Sequence, residues 1–229
     1  MTRQLESIVE ERIAAWLARR SAADARLTSP STTIAIARDR GAGGRAVATR
    51  VAQQLGFDVF DQEIVEAIAS AAHTRRAVVE SLDERTRGGV EEIARLLVNS
   101  ERFTYSAYLE HLSHVVLAIA HHGHAVILGR GAHWLVPRGM RLAVRLVANR
   151  DHRLARTMEL EGCRLDEAVA LLDETDAQRA AFARKHFGAD VRDPEQYHMI
   201  LSSDALGIET SAEVIVEAYR RWHAAHSPD

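Results

Sequence analysis

The stretch from Ser31 to Gly56 constrains the fold of this chain more than any other. It opens with a short β-branched and apolar run, Thr33 to Ala37, which predicts a parallel strand buried on both faces. Three glycines then fall within residues 41–44, so the backbone can turn sharply. Apolar residues follow at helical spacing up to Gly56, which is placed to cap the helix. This order directs free backbone N–H groups at one point, and such a point favours a phosphate.

The loop departs from the standard phosphate-binding pattern G-x-x-x-x-G-K-[ST], which supplies a lysine for the β- and γ-phosphates and a hydroxyl for Mg²⁺. With Gly43 as the second glycine, Gly44 stands at the lysine and Arg45 at the hydroxyl. The spacing GxGKxT places Ala46 at the hydroxyl instead. Both alignments lack the lysine and the hydroxyl, and Arg38 and Arg45 are the cations that flank the loop.

We expect residues 41–46 to hold an anion through their backbone, helped by Arg38 or Arg45. The predicted phosphate-binding residues are Arg38, Gly41, Ala42, Gly43, Gly44, Arg45 and Ala46. The alternative is an ordinary strand, turn and helix with solvated arginines.

The bulk properties exclude several functional classes. The 229 residues are 47% hydrophobic and 27% charged, which is typical of a globular protein. The net charge of −3 argues against a nucleic-acid partner. Cys163 is the single cysteine, which excludes an intramolecular disulfide. No apolar run approaches the ~20 residues of a membrane span, and the first residues carry acids where a signal peptide is apolar. We therefore expect a cytoplasmic protein without a membrane partner.

Residues 1–30 are predicted to form an amphipathic helix over residues 4–20 and a linker that ends near Pro30. The apolar face of this helix either covers the core of the same chain or forms a homodimer contact. The main domain is expected to span residues 31–229.

The rest of the chain predicts a three-layer α/β fold around a five-stranded parallel sheet. The expected strands are Thr33–Ala37, Phe57–Phe60, Ala125–Leu128, Arg141–Val147 and Met199–Leu201. Helices are expected over 62–72, from Thr104 to His121, from a cap at Asp151 to Gly162, from Asp166 to Phe187, and from a capping box of Thr210 and Glu213 onward. Gly88-Gly89 is expected to break the charged segment 73–101.

Two further candidate site residues follow predicted strands. Asp61 comes after the second strand, where it can cap the next helix and where open parallel sheets bind ligands. Arg130 lies between two glycines after the third strand and is placed to meet an anion beside the first loop. The alternative for Arg130 is a turn arginine paired with a nearby acid. The twelve histidines stand at no convincing metal-binding spacing, and we expect no metal site built from them.

From about Ser31 to Trp222 the chain resembles the cytidylate kinase-like family of P-loop proteins. The matching pieces occur in one order along the chain: IAIARDRGAGGRAVATRVAQQLG, FDVFDQEIV, AVILGRGAHWLV, DETDAQRAAFARKHFG and LSSDALGIETSAEVI. The resemblance implies a P-loop NTPase-like fold, a lid near residues 165–190, and ATP-dependent phosphoryl transfer to a nucleoside monophosphate, with CMP as the best candidate. It places Asp61 and Arg130 on the acceptor side and Arg179 and Arg184 near the lid. Arg45, Arg179 and Arg184 are then the candidate catalytic cations.

The resemblance also brings ATP and Mg²⁺ as expected ligands, but the chain departs from ordinary cytidylate kinases. Those enzymes carry the loop lysine and hydroxyl, and an acidic pair around the arginine that follows the third strand. Here that last segment reads Leu128-Gly129-Arg130-Gly131. Two hypotheses therefore stay open: a kinase, and a nucleotide- or phosphate-binding protein without turnover that acts by interaction or regulation.

Overall fold

The computed structural model describes residues 11, 13–18, 32–82, 84–98 and 107–226. Its centre is a parallel sheet with the strand order β2-β3-β1-β4-β5. The strands are β1 (Thr33–Arg38), β2 (Asp58–Phe60), β3 (Ala125–Leu128), β4 (Arg141–Val147) and β5 (Met199–Ser202). After the N-terminal segment, the α-helices in the described residues are α1 (Gly44–Leu55), α2 (Gln62–Ser70), α3 (Ala72–Glu80), α4 (Glu84–Val98), α5 (Ala107–His122), α6 (Ala132–Leu135), α7 (Arg150–Glu161), α8 (Leu165–Phe187) and α9 (Ser203–His226).

The central strand β1 separates two apolar layers. Ile34 and Ile36 face a core formed with α1 and α9, whereas Ala35 faces a core formed with α2–α6. All three side chains are almost fully buried. A strand covered on both faces must be apolar at every position, which explains the continuous run in the sequence. The predicted three-layer fold with five parallel strands is confirmed.

The register places the ends of β1 and β3 side by side. Thr33 pairs with Ala125 and Ile36 with Leu128. β3 therefore ends beside Ile36, two residues before the end of β1. β1 continues to Arg38, which pairs with Leu146 of β4. The loops that follow β1 and β3 therefore meet at the carboxyl edge of the sheet, where parallel sheets bind ligands.

The described part of the N-terminal segment, residues 11 and 13–18, is helical. Ile13 and Trp16 are buried, and the Trp16 ring packs edge-on against Phe60 at 5.1 Å and His122 at 4.8 Å between centroids. These side chains cover the core of their own chain. The other predicted residues of this helix and the linker lie outside the described residues, and the homodimer stays a prediction.

Several local predictions are confirmed. The Asp61 side chain caps α2 by accepting the N–H groups of Glu63 and Ile64. Gly56, Gly162 and Gly188 end α1, α7 and α8 in left-handed conformations that glycine adopts without strain. None of the helices in the described ranges has the length and apolarity that a bilayer crossing requires.

Four helix predictions are wrong in detail. Gly88-Gly89 lies inside α4, because the apolar face of that helix, with Val90 and Ala94 buried, outweighs the low helix propensity of glycine. The predicted helix over 62–72 ends at Ser70, and α3 begins after Ala71, whose extended backbone breaks the helix.

The other two errors concern caps. Asn149, and not Asp151, caps α7 by accepting the N–H of His152, and Asp151 lies in the first turn. Thr210 lies inside α9, whose backbone is interrupted earlier, at Gly207 with φ 75°.

Candidate functional site

The loop between β1 and α1 has the backbone geometry of an anion site. Gly41 and Gly43 adopt left-handed φ angles of 77° and 72°. A side chain on Gly41 would collide with the carbonyl oxygen of Arg153, so the loop lies close against α7. The first bond of α1 runs from the Val47 N–H to the Gly43 carbonyl, at 3.0 Å. Residues 44–46 therefore present N–H groups without an intrahelical acceptor, and no side chain of the described residues caps them.

The Arg38 side chain runs across the start of α1. A Cβ on Gly44 would lie 2.6 Å from Arg38 Cγ, and a Cβ on Gly129 would collide with Arg38 Nη1. The side chain thus extends from the end of β1, over Gly44, to the turn after β3. Both positions need glycine because the arginine fills the space beside them.

The Arg38 guanidinium lies near other arginines, chiefly Arg179 and Arg130. No carboxylate in the described part of the chain forms an ion pair with it. Burial, together with the charges of Arg179 and Arg130, lowers the pKa of Arg38 to about 9, although Asp61 acts in the opposite direction. At neutral pH the guanidinium keeps its charge, and an anion beside it would relieve the repulsion.

Arg45 and Asp61 pair with each other beside the loop. Arg45 Nη2 lies 2.9 Å from Asp61 Oδ2 and 3.3 Å from Glu63 Oε1, and 64% of the Arg45 side chain is exposed. Asp61 is therefore engaged by both the α2 cap and Arg45. The assignments of Arg45 to catalysis and of Asp61 to the acceptor stay predictions.

Arg130 follows β3 in a left-handed conformation with φ 49°. It forms an ion pair with Glu66, and its guanidinium lies 5.4 Å from the centroid of the Phe182 ring. Its Nε is buried and has no hydrogen-bond partner among the residues that the structure describes. The paired-arginine alternative is therefore seen here, yet Arg130 also lines the cavity at the sheet edge.

A cavity of about 760 Å³ opens over the carboxyl edge of the sheet, between the ends of β1 and β3 and helix α8. It brings together the predicted residues Arg38, Arg130, Arg179 and Arg184. The cationic residues of its lining are Arg38, Arg130, Arg145, Arg150, Arg153, Arg179, Arg184 and Arg192, against the acids Asp39, Asp173, Asp176 and Asp190. Eight arginines against four aspartates give the lining an excess of positive charge, which favours anions.

Sequence reasoning missed Asp39, Arg145 and Arg153, which hold the inner wall of the cavity. Asp39 Oδ1 accepts a hydrogen bond from Arg145 Nη2 at 2.7 Å, and Arg153 Nη1 lies 3.5 Å from Asp39 Oδ2. Arg145 is buried inside β4, whose other residues, apart from Arg141 at its start, are apolar. A charge at such a position was the available signal, because a buried charge requires a partner.

Helix α8 is fastened to the loop by hydrogen bonds. The Arg40 N–H donates to Asp176 Oδ1 at 3.1 Å, and Asp176 also pairs with Arg153. Arg179 Nη1 donates to the Arg38 carbonyl at 3.0 Å and lies 3.9 Å from Asp176 Oδ1. The pairing of Asp176 with Arg179 belongs to a larger network that joins α8 to the end of β1.

His133, in the wall of the cavity, is not a proton donor at neutral pH. It is 3% exposed, and burial lowers its pKa to about 3, with Arg141 and Arg145 acting in the same direction. The neutral ring stacks on Tyr197 at 4.9 Å between centroids. We therefore assign it a packing role.

The residues of the site do not fit a magnesium ion held by the protein. Mg²⁺ requires oxygen ligands, and a P-loop supplies one from the hydroxyl after its lysine. Arg45 occupies that position. The nearby carboxylates Asp39, Asp61 and Asp176 are each paired with arginine. Any magnesium at this site would enter with the nucleotide and not on residues of this chain.

The chain matches a known protein family. Residues 33–205, which are most of the chain, match the model of the cytidylate kinase-like family. The chain belongs to this family. The resemblance deduced from the sequence is confirmed, and the family associates this chain with kinase-type phosphoryl transfer.

Solved structures match the chain at low identity, and the first of them shares its fold. An uncharacterized protein from Eubacterium ventriosum is 17% identical, with a TM-score of 0.58 over 83% of this chain and 99% of that one. The shikimate kinase from Bacteroides thetaiotaomicron is 17% identical, with a TM-score of 0.46 over 82% and 98%. The shikimate kinase from Acinetobacter baumannii, in complex with shikimate, is 16% identical, with a TM-score of 0.45 over 87% and 97%. No curated protein matches the chain.

Proposed function

We propose that this protein transfers the γ-phosphoryl group of ATP to a small phosphate-bearing acceptor, with a nucleoside monophosphate as the acceptor class and CMP as the first candidate. The observation that carries the proposal is the cationic cavity, with eight arginines against four aspartates, which opens beside a loop with free N–H groups. Two phosphorylated substrates need such a site, because each brings negative charge that must be neutralised before the two can meet.

The chain's own residues supply positioning and charge. The N–H groups of residues 44–46 are suited to the phosphates of the donor. Arg130 is suited to the phosphate of the acceptor, and Arg179 and Arg184 reach the cavity from α8. In the transfer, an acceptor oxygen forms a bond to the γ-phosphorus while the bond to the bridging oxygen of ATP breaks. Phosphoryl transfer depends mainly on such alignment and on stabilising charge on the oxygens.

The α8 contacts support the proposal that this helix is a lid. Within the described residues, two hydrogen bonds join Asp176 and Arg179 to residues 38–40. A bound phosphate would compete for Arg179, and closure of α8 would exclude water from the cavity. Hydrogen exchange over residues 173–190 tests the lid, since bound ATP should slow exchange there. Equal exchange with and without ATP would contradict it.

The second candidate function is phosphate or nucleotide binding without turnover. Its supporting observation is the Asp176 carboxylate, which accepts the Arg40 N–H and so places an anion of the protein itself at the loop. The absence of the loop lysine and hydroxyl from the sequence favours the same candidate. In this case the protein would report the presence of a ligand to a partner.

The deciding experiment incubates the purified protein with ATP, Mg²⁺ and each of CMP, UMP, AMP and GMP. Formation of ADP and of the nucleoside diphosphate is followed by ³¹P NMR, and ATP binding by calorimetry. Turnover with one acceptor supports the kinase. ATP binding without transfer to any acceptor contradicts the kinase and supports the second candidate.

Variants connect the result to the site. Arg130→Ala should weaken binding of the acceptor by about 1.5–3 kcal/mol, as expected for the loss of a charged hydrogen bond. Arg179→Ala and Arg184→Ala should lower kcat more than they weaken ATP binding. Arg50→Gln, on the outer face of α1 and paired with Glu209, is the matched control. Equal effects of Arg130→Ala and Arg50→Gln on acceptor binding would exclude the proposed role of Arg130.

A further inference from the structure

We infer that Arg38 replaces the missing loop lysine and forms, with the N–H groups at the start of α1, the site that binds the phosphoryl group. The inference deepens the proposed function, on which it rests for the identity of the transferred group. It assigns the role to one of the two flanking arginines, and it explains why positions 44 and 129 are glycine.

The Arg38 side chain occupies the space that a loop lysine would need. A phosphate-loop lysine would extend from position 44, at the start of α1. Here the Arg38 Cβ and Cγ lie against that position, 3.0 Å and 2.6 Å from where a Cβ on Gly44 would be. A side chain at 44 and an arginine at 38 cannot share this space. The cation is therefore supplied from the end of β1 and not from α1.

Arg38 Nη1 lies against Gly129, in the turn that follows β3, and the residue lines the cavity. The guanidinium thus stands between the donor loop and the turn that carries Arg130. A transferred phosphoryl group must pass between these two segments, because one faces the donor and the other the acceptor.

Arg38 and Arg45 lie in different surroundings. Arg45 is paired with Asp61 and Glu63 and is 64% exposed. Arg38 has no carboxylate partner in the described residues. Arg179 and Arg130 are the cations whose charges lower its pKa most. Packing like charges together is costly, and a dianion between them would offset that cost. A guanidinium can also hold two phosphate oxygens at once, which an ammonium cannot do in the same geometry.

The experiment measures pyrophosphate and ATP binding by calorimetry for the parent chain, Arg38→Gln, Arg45→Gln and Gly44→Ala. Arg38→Gln should weaken pyrophosphate binding at least tenfold, and Arg45→Gln should weaken it less. Gly44→Ala should act like Arg38→Gln, since the added methyl group displaces the arginine. Circular dichroism confirms that each variant is folded.

Two controls are matched to these changes. Arg50→Gln removes an exposed arginine from α1, and Gly88→Ala adds a methyl group to a helical glycine with open space around it. Both should bind pyrophosphate as the parent does. If Arg38→Gln also binds as the parent does, or if Arg45→Gln loses more than Arg38→Gln, the inference is wrong.

A rescue experiment separates direct binding from a structural role. Gly44→Lys in the parent should weaken binding, because the lysine collides with Arg38. In the Arg38→Gly background the same Gly44→Lys change should strengthen pyrophosphate binding at least fivefold, because it rebuilds the lysine that the loop lacks. A loss in both backgrounds would contradict the inference.

The outcomes also distinguish this inference from the proposed function. Loss of pyrophosphate binding in Arg38→Gln, with no turnover by the parent on any monophosphate, would support the site and contradict the kinase. Turnover by the parent that Arg38→Gln retains in full would support the kinase and contradict the site.

Discussion

Arg38 is the last residue of β1 and Asp39 follows it, but their charges lie in opposite environments. Asp39 is bonded to the buried Arg145 and to the partly buried Arg153. Arg38 has Arg130 and Arg179 as its main electrostatic neighbours, and burial lowers its pKa. Successive residues of a strand point to opposite sides, so one strand end supplies both environments. We call them the paired side (Asp39, Arg145, Arg153) and the cationic side (Arg38, Arg130, Arg179).

The difference distinguishes arginines that stabilise the fold from an arginine that is available to a ligand, within one arginine-rich site. On the paired side, Asp39 pairs with both arginines and Asp176 pairs with Arg153, so the charges are neutralised inside the protein and join β4, α7 and the loop. On the cationic side, Arg130 pairs with Glu66 and Arg179 with Asp176, whereas Arg38 has no carboxylate partner in the described residues. The charge of Arg38 is therefore left for a ligand, and the protein bears its electrostatic cost. An arginine that lines the cavity is therefore not by itself a ligand-binding residue.

The strongest test of this comparison is Asp39→Asn. It leaves Arg145 and Arg153 without their shared carboxylate, while their side chains are only 8% and 11% exposed. Removing one partner of a buried ion pair is strongly destabilising. We expect the free energy of unfolding, measured in urea, to fall by about 3 kcal/mol. A loss as small as that of an exposed ion pair would remove the distinction between the two sides.

The pH dependence of anion binding probes the cationic side. Sulfate is the probe, because its charge is constant between pH 7 and pH 11. Burial lowers the pKa of Arg38 to about 9, so the folded protein loses this charge as the pH rises through that value. Sulfate affinity should therefore be constant up to about pH 8.5 and fall up to about tenfold per pH unit above 9. Arg38→Gln should bind sulfate weakly, with an affinity that does not change with pH. A steep fall of affinity in that variant would assign the titration to another group.

Replacing Arg38 with methionine should raise the free energy of unfolding. Because the lowered pKa means that folding disfavours the charged form, this cost is present below pH 9 and disappears as the pH rises from about 9 toward 12.5. In buffer without phosphate or sulfate, the methionine variant should be more stable than the parent by about 1 kcal/mol in urea unfolding. It should also bind pyrophosphate poorly. A variant that is clearly less stable would show that Arg38 supports the fold.

The smallest effect is expected for Asp173→Asn. Asp173 Oδ1 pairs with Arg150 Nη1 at 2.7 Å, but both side chains are more than half exposed. Water and salt screen such a pair. Urea unfolding should show no measurable change, although the pair lines the same cavity as Asp39. A loss comparable to that of Asp39→Asn would show that burial is not what separates the two sides.

Much of the fold could be predicted from the sequence because its signals are local. The buried run before Gly41 and the glycine after Leu55 define a strand and a helix without reference to the rest of the chain. Gly88-Gly89 misled the prediction because tertiary packing decides whether a helix tolerates glycine. Propensity alone is a weak guide at such a position.

The site could be predicted only in part. Arg38, Arg130, Arg179 and Arg184 were found because they follow strands or match a family pattern, and all four line the cavity. The partners of Asp39 lie more than a hundred positions further along the chain, at Arg145 and Arg153. Nothing local reveals which acid meets which arginine, so the division into two sides needed the structure.

The contact between α9 and the loop has a consequence for how the protein folds. Ser203 Oγ donates to the Ala42 carbonyl at 2.8 Å, a contact that spans 161 residues. Ile208, just beyond the break at Gly207, packs against Gly43. Such long-range contacts form late, because the intervening chain must first be ordered. During synthesis the loop therefore reaches its final shape only after α9 has emerged, and a nascent chain with an ordered sheet would still lack a finished anion site.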